Sequence, residues 1–225
     1  IVGADNVTID GINLTEAAGN TTATTRAEWG YGVLKCDGNN GANDVTIRNC
    51  NVALAAAYTG GYGIYVANHD NLSTTGFTNS TYTTTAQAAR NKVSITNNTL
   101  NNCYTGIRLG ANPNVVSTTG ECLNDTLNNI SNNTITNFGG AATSAYGIYY
   151  GNNRQITIRS NTISSSTTAT STTSAGIYAL SGTWATICGN TIQNIVSSST
   201  FYGIYHGLAG GDASNPNIVR IDSNI

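Results

Sequence analysis

Charge is scarce in this sequence. Only 9% of the residues are Asp, Glu, Lys or Arg, where ordinary soluble domains carry about a quarter. Its surface must therefore be solvated chiefly by the amides and hydroxyls of Asn, Thr and Ser. Nine Lys and Arg against eleven Asp and Glu, a net charge of −2, leave no basic footprint for nucleic acid or for insertion at an anionic membrane. Long apolar runs are lacking too: Val52 to Ala57 is among the longest, well short of the roughly 18 residues that cross a bilayer. The five cysteines, Cys36, Cys50, Cys103, Cys122 and Cys188, show no CxxC spacing, so sulfur ligation of zinc is not expected. Cys36 with Cys50, and Cys103 with Cys122, could each close a short loop; the other reading is small apolar side chains left unpaired. No apolar stripe recurs at i, i+3, i+4 and i+7, which removes helices from the expectation. Low Lys, absent Met and abundant Thr and Asn fit an extracellular protein.

What the sequence does have is a repeat. Val7-Thr-Ile-Asp-Gly-Ile-Asn-Leu14 recurs as Val45 to Val52, Val93 to Leu100, Asn128 to Ile135, Ile156 to Ile163, Ala185 to Ile192 and Val219-Arg-Ile-Asp-Ser-Asn-Ile225, with Ile at the third position every time. A second motif interleaves with it: Tyr31-Gly-Val33, Tyr62-Gly-Ile64, Thr105-Gly-Ile107, Tyr146-Gly-Ile148, Ala175-Gly-Ile177 and Tyr202-Gly-Ile204. Strict interleaving means one supersecondary unit repeated. Within the first motif apolar and polar residues alternate, the period of a strand with one face buried. Gly11, Asn49, Asn97, Asn132, Ser160, Gly189 and Ser223 then break it with residue types that tolerate left-handed turns. Each unit reads as strand, tight turn, strand.

Successive first motifs lie 28 and 29 residues apart between Asn128, Ile156 and Ala185, enough for one solenoid turn of three short strands. Earlier spacings stretch to 38 and 48 where loops such as His69 to Arg90 are inserted, as repeat folds tolerate. The long excursions Asp70 to Ala89 and Ala111 to Glu121 are expected to leave the solenoid and lie on its surface. A left-handed solenoid would need a strict six-residue rhythm, and a propeller longer repeats. The expected fold is all-β, a single right-handed parallel β-helix domain over 1–225 with about seven coils and surface loop insertions. Stacking coils about 4.8 Å apart would place the third-position Ile residues in one buried column. It would also stack Asn98, Asn133, Asn161, Asn190 and Asn224 in a structural ladder, each amide donating to the next carbonyl.

On these motifs the chain resembles the right-handed parallel β-helix repeats of very large secreted proteins of Bacteroidota. Gly3-Ala-Asp-Asn-Val-Thr-Ile-Asp-Gly11, Glu28-Trp-Gly30, Asn43 to Cys50, Asn102 to Ile107 and Asn137-Phe-Gly-Gly140 carry the likeness over nearly the whole chain. The resemblance implies export to the cell surface, often by the type IX route, and modular construction. It implies little about activity. Polysaccharide lyases and glycoside hydrolases share this fold, so the acids must be weighed directly. There are eight Asp and three Glu; none forms an Asp-Asp pair or adjoins Gly-His-Gly, and they fall singly in different coils. Neither paired carboxylates for hydrolysis nor a calcium cage for a lyase is legible. The sequence therefore points to a structural or adhesive solenoid without cofactor, metal or catalytic residues, with a polysaccharide-active enzyme as the alternative.

Four features could nevertheless carry chemistry. His69-Asp70 is the nearest to an acid–base pair, but neighbours on a strand face opposite ways. His206 reads as a packed or edge residue, and Asp37 to Asp44 as a solvated turn lacking the closing acid of an EF-hand. If the Ile of the second motif points inward, Tyr65, Tyr149, Tyr178 and Tyr205 point outward in register, with Arg108 between them. Such a row can contact glycans or another protein, or simply seal the sheet. At the ends, Ile1-Val2 runs directly into a regular coil and Val219 to Ile225 is a coil cut short. The expected partners are further domains of the same chain, or other copies stacked head-to-tail.

Overall fold

The Val-Thr-Ile segments stack as one parallel sheet, and the rest of the architecture follows from it. The computed structural model describes the chain apart from residues 21, 23–24, 55–59, 74–75, 78–89, 111–124, 141–142, 166–169 and 208–217. Sheet 1 holds β1 (Thr8–Asp10), β4 (Val45–Arg48), β7 (Val93–Thr96), β11 (Asn129–Ser131), β14 (Thr157–Arg159), β17 (Ala185–Cys188) and β20 (Val219–Asp222), in that order. All its pairs are parallel, and Ile9, Ile47, Ile95, Ile130, Ile158, Ile187 and Ile221 lie in one register column. Burial is complete for Ile47, Ile95, Ile130, Ile158 and Ile187, whereas Ile9 is half-buried and Ile221 is 47% exposed. The expectation that all seven are buried thus fails at the two outer strands. There an inward side chain has a neighbouring coil on one side only.

After sheet 1 the chain turns sharply. Every breaker residue sits at positive φ, from 52° at Ser223 to 71° at Gly11, where Asn and Gly are tolerated at least cost. The turn feeds sheet 2: β2 (Leu14–Thr15), β5 (Asn51–Ala53), β8 (Thr99–Asn101), β12 (Thr134–Phe138), β15 (Thr162–Ser165) and β18 (Thr191–Gln193). The second motif forms sheet 3: β3 (Trp29–Val33), β6 (Tyr62–Val66), β9 (Thr105–Gly110), β13 (Ser144–Arg154), β16 (Thr173–Thr183) and β19 (Thr200–His206), with β10 (Asp125–Thr126) beside β13. Each strand pairs in parallel with its counterpart one coil on, which is a parallel β-helix. Its core is lined by Val52, Leu100, Ile135 and Ile163 from sheet 2 and by Ile64, Ile107, Ile148 and Ile177 from sheet 3.

The glycine of the second motif is dictated by this packing. A Cβ on Gly147 would come within 2.3 Å of Ile163 Cγ2 and 2.6 Å of the Gly176 carbonyl oxygen, and Gly63, Gly106 and Gly176 meet the same kind of obstruction. Gly30 belongs to that column, because its Cβ would strike Val52 and the Gly63 oxygen and because Trp29 pairs with Tyr62. In the first coil the equivalent triplet is therefore Trp29-Gly30-Tyr31, and not Tyr31-Gly-Val33 as the spacing suggests. Gly147→Ala should cost about 3 kcal/mol by overpacking, while Gly203→Ala, with nothing within 4 Å of its Cβ, should change stability by less than about 0.5 kcal/mol. Paired denaturant titrations measure both. Equal effects would mean that the glycine column is not sterically required.

Of the two long excursions, Ala111 to Glu121 lies outside the described residues, as do residues 78–89. Leu72, in the described start of the first, is 87% exposed. Cys36, Cys50, Cys103 and Cys188 are free thiols, so the structure has no Cys36–Cys50 bridge. Cys122 lies outside the described residues. Burial alone pushes the Cys103 thiol up to about 12.

Candidate functional site

Period-two alternation fails at the glycine of the second motif. In the β6–β9 ladder the register passes from Tyr62↔Thr105 directly to Ile64↔Ile107, and the missing Cβ of Gly63 faces Leu100 and Cys103 in the core. Glycine and isoleucine both turn inward, and the residues on either side, Tyr62 and Tyr65, both turn outward. The same holds for Tyr146 with Tyr149 and for Tyr202 with Tyr205. One expected column, Tyr65, Arg108, Tyr149, Tyr178 and Tyr205, lies in register. Beside it runs a second, Trp29, Tyr62, Thr105, Tyr146, Ala175 and Tyr202. Reading the strand as a simple alternation misses that second column.

The two columns merge into one stripe along sheet 3. Tyr62 and Tyr65 stack at 5.0 Å, Tyr149 and Tyr178 at 6.1 Å, and Tyr178 and Tyr205 at 4.5 Å, with Trp29 5.2 Å from Tyr65. All are partly exposed. Because ring faces stack on one another, they offer solvent their edges and hydroxyls more than open faces. Burial raises the phenol pKa values of Tyr65, Tyr149 and Tyr178, so these hydroxyls stay protonated and can donate. Arg108 bridges the two halves: its guanidinium carbon lies 5.2 Å from the ring centres of Tyr62 and Tyr149 and 5.9 Å from Tyr65, and Nη1 donates to Tyr62 Oη at 2.7 Å. Guanidinium held against aromatic faces gains cation–π attraction, which fixes the rings around it.

At one end of the stripe His69 is buried. Its Nδ1 lies 2.6 Å from the Asp70 carbonyl oxygen and its Nε2 3.1 Å from Tyr65 Oη. The tautomer that satisfies both carries the proton on Nδ1 and accepts from Tyr65. The Asp70 carboxylate turns away to accept the Leu72 and Ser73 backbone N–H groups, so His69 and Asp70 are not an acid–base pair. His206 packs edge-on to Tyr150, and burial lowers its pKa. Asp37 caps its own turn by accepting the Asn39 N–H, and Asp44 pairs with Lys92.

Of the remaining described acids, Glu28 is exposed and the others are engaged. Asp10 pairs with Arg48, Asp222 with Arg220 and Asp125 with Lys35, while Asp5 and Glu16 accept the backbone N–H groups of Asn43 and Ala27. Among the described residues no three of His, Cys, Asp and Glu come together to hold a metal ion.

The asparagines stand at the turn between sheets 1 and 2. Nδ2 of Asn98 donates to Asn133 Oδ1 at 3.0 Å, Asn133 to Asn161 at 3.0 Å, Asn161 to Asn190 at 2.9 Å and Asn190 to Asn224 at 2.9 Å. The Oδ1 atoms of Asn133, Asn161, Asn190 and Asn224 also accept the backbone N–H of the preceding asparagine, and that of Asn98 accepts the Cys50 N–H. Each Nδ2 also donates to an Ile carbonyl of sheet 1, such as Asn161 to Ile130 at 3.0 Å. These residues hold the turn, and the amides of Asn133, Asn161 and Asn190 are buried with both lone pairs and both N–H groups engaged.

Among the described residues no helix is long and apolar enough to cross a membrane. No curated protein and no solved structure matches the chain. The family described as Right handed beta helix region matches residues 31–211, a stretch that takes in both motifs and all three sheets, and the chain belongs to that family.

Proposed function

We propose that this β-helix is a structural or adhesive segment of an exported bacterial surface protein, and that the stripe from Trp29 to Tyr205 is its contact face for surface glycans. The observation that supports the reading is the stripe itself: a row of partly exposed rings and protonated hydroxyls along sheet 3, whose two halves are joined across Thr105 by one guanidinium. Ring edges and hydrogen-bond donors in alternation suit the mixed apolar and hydroxyl surface of a polysaccharide. Export, further domains of the same chain and the type IX route accord with the likeness to Bacteroidota surface repeats. The fold alone is shared by enzymes and non-enzymes and decides nothing about catalysis.

One observation favours a second reading, a polysaccharide-active enzyme: the Tyr65–His69 hydrogen bond beside Arg108 places a hydroxyl, an imidazole and a cation together. A panel of neutral and acidic polysaccharides, assayed for retention of the protein and for new reducing ends or unsaturated uronides with calcium and with chelator, separates the two. Retention without product release is expected. Product release abolished by Tyr65→Phe or His69→Gln would replace the adhesive reading with the enzymatic one.

A further inference from the structure

Inside the solenoid lies a pair that neither the contact face nor the ladder uses. Lys35 follows β3, Asp125 opens β10, and both side chains are wholly buried, with Nζ 3.8 Å from Oδ1. Asn91 fixes the carboxyl group: its backbone N–H donates to Oδ1 at 2.8 Å and its Nδ2 to Oδ2 at 3.2 Å. Asn91 is itself held, since Nδ2 also donates to the Ala67 carbonyl at 3.1 Å and Oδ1 accepts the Ala42 N–H at 2.9 Å. The amine thus faces a carboxyl whose two oxygens both receive N–H donors, in a site closed to water.

We propose that Lys35 and Asp125 join in an intramolecular isopeptide bond. The Lys35 Nζ lone pair attacks Asp125 Cγ, and the N–C bond forms. The two Asn91 donors hold the negative charge that develops on oxygen, as preorganised donors do in acyl transfer. One amine proton passes to the departing hydroxyl, the C–O bond breaks and one water leaves, so a free amine and a carboxylic acid become a secondary amide with no other reactant. Burial supports the reactive protonation states: it lowers the Lys35 pKa and raises that of Asp125, with each partner's charge pulling the other back. A dry site also denies the new amide the water that would hydrolyse it.

The bond has a mechanical consequence. Coils of a solenoid touch only their neighbours, so an end coil can peel away by itself. A covalent link from residue 35 to residue 125 ties the first coil across the coils between them, whatever the aromatic stripe contacts.

Mass spectrometry of the intact, folded 225-residue chain tests this. The expected mass is that of the sequence less one water, with a branched peptide joining the Lys35 and Asp125 segments. Lys35→Arg keeps the charge, cannot form the bond and should show the full mass; Asn91→Ala, which removes the side-chain donor, should slow bond formation by roughly a hundred- to a thousandfold. Full mass in wild-type protein that melts cooperatively, after prolonged incubation, would overturn the proposal. So would loss of ammonia in place of water, or loss of water that persists in Lys35→Arg.

Discussion

Ile158→Asp is expected to yield a chain with no cooperative thermal transition. Ile158 is completely buried and stands in the middle of the isoleucine column, between Ile130 and Ile187. The carboxylate would sit among aliphatic side chains with no cation to meet it, and an unpaired buried charge costs several kcal/mol beyond the roughly 2–3 kcal/mol of apolar burial lost. Total stability of an ordinary domain is only about 5–15 kcal/mol. Ile221→Asp makes the control, since that side chain is 47% exposed and can keep its charge in water. Its cost should be near 1 kcal/mol. Circular dichroism melts of the two proteins side by side give the answer; a cooperative melt for Ile158→Asp would mean that the column is not the core.

Asn161→Ala should destabilise by about 3–5 kcal/mol. The side chain accepts the Asn133 backbone N–H at 2.9 Å and Asn133 Nδ2 at 3.0 Å, and it donates to the Ile130 carbonyl at 3.0 Å and to Asn190 Oδ1 at 2.9 Å. Alanine satisfies none of these. The buried groups left behind are too deep for water, and each unsatisfied one costs about 1–3 kcal/mol. Asn224→Ala should cost about 1 kcal/mol, because Asn224 is half-buried and water can take its place. Equal losses at the two positions, measured by denaturant titration, would contradict the dependence on burial.

The parallel β-helix was legible because its repeat fixes register: one Ile at a constant position, followed by a turn former, admits few other arrangements. The turn composition announced the left-handed positions Asn49, Asn97 and Asn132. It did not announce Leu127, Gln155 and Trp184, which occupy positive φ at 57°, 56° and 57° at the corner entering sheet 1, where coil geometry overrides residue preference. Half of the stripe was hidden for another reason. Tyr62, Tyr146 and Tyr202 lie three residues before their outward partners, a spacing that strict alternation assigns to opposite faces; the inward glycine between them resets the phase. Lys35 and Asp125 were illegible as a pair, since lone charges in separate coils meet only through the topology. Ile9 and Ile221 showed the limit of the repeat itself, because identical motifs have different burial when one neighbour is missing.

The stripe as contact face is tested most directly by the affinity for a retained polysaccharide of wild-type protein, Tyr178→Ala, and Thr162→Ala on the outward side of sheet 2. Tyr178 stacks on Tyr205 at 4.5 Å and Tyr146 lies 4.7 Å away, so removing it breaks the row at its densest point while leaving the core untouched. Tyr178→Ala is expected to bind at least about tenfold more weakly, about 1.4 kcal/mol, with Thr162→Ala unchanged. Undiminished binding by Tyr178→Ala, or an equal loss in Thr162→Ala, would contradict it.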